Sequence, residues 1–211
     1  IERSPEVQAA FAGLVELERG VANVRVRSTG TLGGNLAFAE PHSDPATLLL
    51  ASDARVELAG PRGIRSLSIA DFVLGPLFTA REPDEIVTAI IIPNAAPGEG
   101  RAYGKLAFFE RPAASVAVRL TVTDGTISAA TVAVGSITEV PEIVLAAGAA
   151  LIGAATDDAP LAAAISTAAE AFGELDAVDD LNGGPDYKRH LARTLLASTG
   201  RAAVREAIAH A

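Results

Sequence analysis

Apolar positions along the chain follow two rhythms. Behind Ser4-Pro5-Glu6, residues Val7, Phe11, Leu14 and Leu17 recur at helical spacing. This predicts one helix, capped by Ser4, opened by proline and ended by Gly20. A Gly-rich stretch, 28–35, comes next. A second helix is then predicted, with Asp44 as N-cap and Pro45 at its first position, running through Leu48-Leu49-Leu50. From Arg55 the period shortens to two, with Val56 and Leu58 alternating against Arg55 and Glu57. Gly60-Pro61-Arg62-Gly63 makes a turn, and 64–69 returns as a strand. A β-branched run, 85–92, stops at Pro93, and 94–100 has the Pro/Gly-rich composition of a linker.

Beyond the linker, residues 103–109, 115–123 and 126–135 predict three strands, the last two joined by an Asp124-Gly125 hairpin turn. Helical patterns fill the remainder, at 141–151, 161–172, 186–198 and 201–210. Strands grouped ahead of helices, without βαβ alternation, predict an α+β fold whose second part holds a three-stranded antiparallel sheet and packed helices.

Composition narrows the function. Apolar residues make up 49% of the 211, enough for a packed core, but aromatics only 4%, so Ala, Val, Leu and Ile must fill it. A formal charge of −9, with no basic stripe, argues against nucleic acid. The longest uncharged runs, such as 143–156, contain glycine and fall short of the roughly 20 residues of a membrane helix. No apolar leader region follows Ile1, so the expected location is cytoplasmic. With no cysteine, the chain itself offers neither disulfide, thiolate nucleophile nor iron–sulfur ligand. With no methionine, the sequence is expected to be processed, trimmed or part of something longer.

Gly30-Thr31-Leu32-Gly33-Gly34-Asn35 carries the most chemistry. Consecutive glycines let backbone N–H groups approach an anion, and the Thr hydroxyl and Asn amide add directional bonds. The natural guest is a phosphate or diphosphate; the alternative is a tight turn between two helices. The spacing is not the dinucleotide fingerprint G-x-G-x-x-G. His42-Ser43-Asp44 has the residue types of a hydrolase triad, but sequence neighbours point apart, so Asp44 is read as a helix cap. His42, His190 and His210 lack metal-ligand spacing. Asp157-Asp158 and Asp179-Asp180 read as caps or solvated loop charges. Lys188, Arg189, Arg193 and Arg201 read as the solvated face opposite a Tyr187, Leu191, Leu195 stripe. No catalytic residue and no metal ligand is predicted.

The order of these motifs resembles a known family. Val26-Arg27, the 30–37 stretch, Pro41 and Ser43-Asp44-Pro45 are similar to the FAD-binding medium subunit of molybdenum hydroxylases, of the carbon monoxide dehydrogenase and xanthine dehydrogenase type. Asp71-Phe72 with Gly75 and Thr79, Pro83-Asp84-Glu85-Ile86, Ile92-Pro93, Tyr103 and Lys105 continue the resemblance in order. It closes at Asp180-Leu181-Asn182-Gly183 and Tyr187 to Leu191. The resemblance implies that 1–95 is the second subdomain of an FAD-binding domain and 101–211 the flavoprotein C-terminal α+β domain. The family's first FAD subdomain, with its Ala-Gly-Gly-type loop, is not within these residues. It further implies that Thr31, Gly33, Gly34 and Asn35 cradle the FAD diphosphate region. By the same implication Asp44 bonds the flavin nucleotide, Val87 offers main-chain contact, and Lys105 approaches the flavin from the second domain. The implied function is electron transfer by an oxidoreductase component, from a partner's iron–sulfur clusters through FAD to an acceptor. A molybdenum cofactor subunit completes the implied hetero-oligomer. The alternative is a structural or assembly module of the same fold that does not hold FAD.

Overall fold

The structure, a computed structural model, describes residues 1–108 and 110–210. Ser4 caps α1 (Pro5–Ala10), its Oγ accepting the Val7 N–H. The helix predicted to continue to Gly20 instead breaks at Phe11, whose backbone (φ −158°, ψ 76°) closes α1 and opens α2 (Ala12–Arg19). The break seats the buried Phe11 ring beneath the Arg101 guanidinium, 5.0 Å from the ring centroid, a contact that outweighs one more helical turn. Short helices α3 (Val24–Thr29) and α4 (Leu32–Phe38) follow, and then α5 (Asp44–Ala51), in which every residue is buried.

The alternating segment forms β1 (Arg55–Gly60) and β2 (Gly63–Ser68), as predicted. After a single turn, α6 (Ile69–Phe72), and a small hairpin, β3 (Val73–Gly75) with β4 (Phe78–Thr79), the chain returns as β5 (Ile86–Ile91). These strands make an antiparallel sheet ordered β2-β1-β5.

A second antiparallel sheet, ordered β6-β7-β8-β9, holds the three predicted strands: β6 (Glu99–Ala107), β7 (Pro112–Thr123) and β8 (Thr126–Gly135). β6 begins at Glu99, inside the stretch read as linker; the predicted strand end at Phe109 lies outside the described residues. Asp124 and Gly125 both have positive φ, 50° and 73°, the backbone of the expected two-residue hairpin. The region predicted as a helix over 141–151 first adds β9 (Glu142–Ile143) to the edge of β8, and only then forms α7 (Leu145–Leu151).

Strand alternation gives this sheet two different faces. Val116, Val118 and Leu120 of β7 join the larger core under α7, α8 (Asp158–Glu170) and the long α9 (Pro185–Ala209). Ser115 and Ala117 face α5. Cross-strand pairing extends them into two rows, Lys105–Ser115–Gly135 and Tyr103–Ala117–Ala133–Ile143. Small side chains floor this face, so α5 settles onto it, and Ala117 and Ala133 join the core of the N-terminal part. Tyr103 and Lys105 rise at the β6 edge of that floor.

The two C-terminal helices predicted over 186–198 and 201–210 are one helix, α9, which runs through Gly200. A glycine costs a helix interior about 1 kcal/mol relative to alanine. Here a Cβ at Gly200 would stand 3.3 Å from Ile165 Cδ1, so its absence lets α9 lie close on α8. α8 starts earlier than predicted and hands over at Glu170 to a 3-10 turn (Ala171–Glu174) that buries Phe172.

Candidate functional site

The Gly-rich stretch is not an irregular loop but the boundary between α3 and α4. Thr31 is the N-cap of α4: its Oγ1 accepts the Gly34 N–H at 3.0 Å and its carbonyl accepts the Asn35 N–H at 2.9 Å. Leu32 and Gly33, the first two residues of the helix, carry N–H groups with no intrahelical acceptor. Ser43 Oγ donates to Asn35 Oδ1 at 2.6 Å, which fixes the carboxamide and leaves its NH2 group as a donor.

A groove of about 680 Å³ opens beside this turn. Thr31, Gly34 and Asn35 line it, together with Arg27, Glu18, Val21, Val26, Phe38 and Pro45. Its volume lies in the range of small-molecule and cofactor pockets. Arg27 is held there by Glu2 (Nε–Oε2 2.9 Å) and the Val21 carbonyl (2.9 Å). Gly33 faces the other way: a Cβ there would stand 3.3 Å from Val87 Cγ1, so its lack of a side chain lets α4 rest on β5.

Asp44 is not the N-cap expected for it. Ser43 occupies the cap position of α5 and Asp44 is its first residue. The carboxylate turns to the second sheet, accepting from Tyr103 Oη (2.5 Å) at Oδ1 and from Lys105 Nζ (2.8 Å) at Oδ2. Charge pairing outcompetes capping because Asp44 is 4% exposed and a buried carboxylate needs a cation. Burial still raises its pKa, against the opposing pull of the Lys105 and Tyr103 hydrogen bonds. Burial first, and then the Asp44 charge, push the Tyr103 hydroxyl well above its usual value. Lys105 Nζ also donates to the Gly20 carbonyl (2.8 Å) and lines a separate cleft of about 500 Å³ with Gly20, Arg101 and Glu206.

The predicted residues therefore fall into three groups. Thr31, Gly34 and Asn35 line the groove, Gly33 and Val87 pack against each other behind it, and Asp44 and Lys105 pair between α5 and β6. The neighbours in His42-Ser43-Asp44 do point apart, toward Pro112 and Asp180, Asn35, and Lys105 respectively.

Two other readings need correction. Lys188 is not on a solvated face but fully buried, its Nζ donating to Asp180 Oδ2 at 2.5 Å. Asp180, read as a cap or loop charge, anchors a cluster: it also accepts the Asn182 N–H (2.7 Å) and faces His42 Nε2 (3.2 Å). The inward face of α9 is broader than the predicted stripe: it buries Leu191, as predicted, together with Lys188, Ala192, Leu196, Thr199 and Ala203, whereas Tyr187 stays exposed. Glu18, Arg27 and Tyr103 were also missed as site residues. Tyr103 and Lys105 carried a signal, since positions i and i+2 share a strand face.

Residues 1–95 match the family model described as "FAD binding domain in molybdopterin dehydrogenase", and 110–203 the one described as "CO dehydrogenase flavoprotein C-terminal domain". The nicotine 6-hydroxylase medium subunit of Paenarthrobacter nicotinovorans is 31% identical over 94% of this chain and 69% of its own length. The chain belongs to the family of FAD-binding medium subunits of molybdenum hydroxylases. Another member, the carbon monoxide dehydrogenase medium chain of Afipia carboxidovorans, is 34% identical over 83% of this chain, which spans 61% of that protein. A chain of carbon monoxide dehydrogenase from Hydrogenophaga pseudoflava superposes with a TM-score of 0.90 at 32% identity, covering 97% of this chain and 71% of that one. The α+β architecture is that of the family, and FAD is the family's cofactor. Among the described residues no helix is long and apolar enough to cross a membrane.

The site suits that cofactor in one further respect. A Cβ at Gly34 would stand 3.0 Å from Thr31 Oγ1, against the hydroxyl that caps the turn. Glycine here keeps both the cap and the adjoining N–H groups open to the groove.

Proposed function

We propose that this chain is the part of a medium subunit that holds FAD between its Gly-rich turn and its second sheet. In the complete complex, FAD supplies the redox centre through which electrons from a partner's iron–sulfur clusters leave for an acceptor. The observation that carries the reading is the groove of about 680 Å³ bordered by Thr31, Gly34 and Asn35, with Arg27 on the same wall. The Leu32 backbone N–H and the Asn35 amide bind a diphosphate, and Thr31 keeps the turn in shape. Gly33 contributes by letting Val87 and β5 support α4. Asp44 and Lys105 orient the flavin end, held as a pair so that neither charge is buried alone. Val87 offers main-chain contact.

The division into a FAD-binding part, 1–95, and a C-terminal part, 101–211, is supported by the sheets, since no strand before residue 95 pairs with one after it among the described residues. The open groove favours a cofactor-holding subunit over a structural module of the same fold. An iron–sulfur subunit and a molybdenum cofactor subunit are the expected partners, since this chain has no cysteine with which to hold a cluster. The test is flavin content in the Gly34→Val variant of the protein. Loss of visible flavin absorbance with unchanged far-UV circular dichroism is expected. Undiminished flavin in that variant overturns the assignment of the turn.

A further inference from the structure

Glu18 stands near the end of α2 in the groove wall and has nothing to hold it. Its Oε1 is buried without a hydrogen-bond partner, and the side chain forms no ion pair among the described residues. The Ile1 ammonium acts on it from a distance, with no ion pair between them among the described residues, and two other cations nearby are committed elsewhere. Arg27 on the same wall is engaged by Glu2 and the Val21 carbonyl, and Lys105 by Asp44 and the Gly20 carbonyl. Leaving a buried acceptor unpaired is unfavourable, a deficit that is removed when a ligand supplies the donor.

The groove's occupant has two chemically different halves. A carboxylate repels a diphosphate, so the charged section belongs with the free N–H groups of the α4 turn. Glu18 neighbours the other end: it stands two residues before Gly20, whose carbonyl accepts from Lys105, and Lys105 and Asp44 are the residues set at the flavin end above. We infer that Glu18 accepts a hydrogen bond from an uncharged donor of the ribityl–flavin half of FAD, a hydroxyl or a ring N–H, and lays negative charge against that half. This rests on the cofactor reading given under Proposed function. Burial raises the Glu18 pKa, opposed by the Ile1 ammonium and reinforced by the Asp44 and Glu2 charges.

The test strips the protein of flavin and titrates it with FAD, FMN and ADP, as wild type, Glu18→Ala and Glu18→Gln. Glu18→Ala is expected to weaken FAD and FMN about tenfold or more and to leave ADP unchanged. Glu18→Gln keeps an acceptor; it is expected to recover most of that affinity and to shift the midpoint potential of the bound flavin upward, because a negative charge has gone. Thermal denaturation of the flavin-free proteins provides the folding control: neither variant is expected to be less stable than wild type. If Glu18→Ala does not fold, the potential and affinity of Glu18→Gln carry the test. Wild-type FAD binding with equal affinity in Glu18→Ala overturns this inference and leaves the cofactor reading standing. So does a loss confined to ADP. A wild type that binds no FAD overturns both.

Discussion

Asp44 and Asp180 each accept a hydrogen bond from a lysine, at 2.8 and 2.5 Å, yet their acidities move in opposite directions. Asp44 is 4% exposed, and burial raises its pKa despite Lys105 and Tyr103. At Asp180, whose side chain is 24% exposed, burial pushes the same way but loses. The Lys188 hydrogen bond, the Asn182 N–H and the Lys188 and His42 charges together lower its pKa. A lysine alone does not decide the direction; remaining solvent and the number of donors do. The Asp180 cluster therefore behaves as a clamp, joining the 40–43 loop through His42 to the start of α9. The Asp44 pair keeps an electrostatic cost, at the end of the site where a ligand is expected.

Linkage gives the two carboxyls opposite pH signatures. Asp180, lowered on folding, contributes stability that is present above its unfolded pKa and is lost as pH falls through its folded value. Asp44, raised on folding, adds a cost that grows as pH rises from its unfolded value to its folded one, and acidification relieves that cost.

Removing each lysine separates the two pairs most sharply. Lys188→Met keeps the apolar stem in the core but leaves Asp180 without its cation, and is expected to cost about 3 kcal/mol in urea unfolding. Flavin content per folded molecule should not change; if flavin is lost before stability, the clamp reading is wrong. Lys105→Met is expected to cost less, about 2 kcal/mol at neutral pH, because Asp44 can take up a proton. Its deficit relative to wild type should shrink as pH is lowered toward the raised Asp44 pKa, and flavin retention should fall with it. A deficit that widens on acidification contradicts the sign assigned to Asp44.

Tyr103→Phe tests the second donor alone. It removes the 2.5 Å bond to Asp44 while Lys105 remains, and about 1.5 kcal/mol is expected from the same unfolding measurement. The exposed Arg62–Asp84 pair, bonded at 2.9 and 2.8 Å, sets the baseline. Arg62→Ala should leave the unfolding midpoint where it is, since solvent screens that pair.

What was legible in the sequence follows from which forces are local. Ser4, the Asp124-Gly125 turn and the alternation of β1 act over a few residues, and each sits as its pattern predicts. Asp44 was misread because capping is the local option and Lys105 lies 61 residues away; a long-range ion pair leaves no periodic trace. Lys188 was misread because the buried face of α9 is wider than a stripe through Leu191 and Leu195: packing also takes in Ala192 and Leu196 and carries the lysine inward with them. The helix break at Phe11 and the uninterrupted helix at Gly200 are likewise settled by partners from distant elements, Arg101 and Ile165. At the site, the family resemblance supplied the residues, but not that Gly33 faces Val87 rather than the groove.

We propose that the turn at 31–35, not the cleft beside Arg101 and Lys105, receives the diphosphate of FAD. An experimental structure of the protein with FAD bound tests it most directly. Diphosphate oxygens are expected at the Leu32 backbone N–H and the Asn35 amide, with Thr31 still capping α4 and the Asp44–Lys105 pair intact. A diphosphate found in the 500 Å³ cleft lined by Arg101, Lys105 and Glu206 would contradict it.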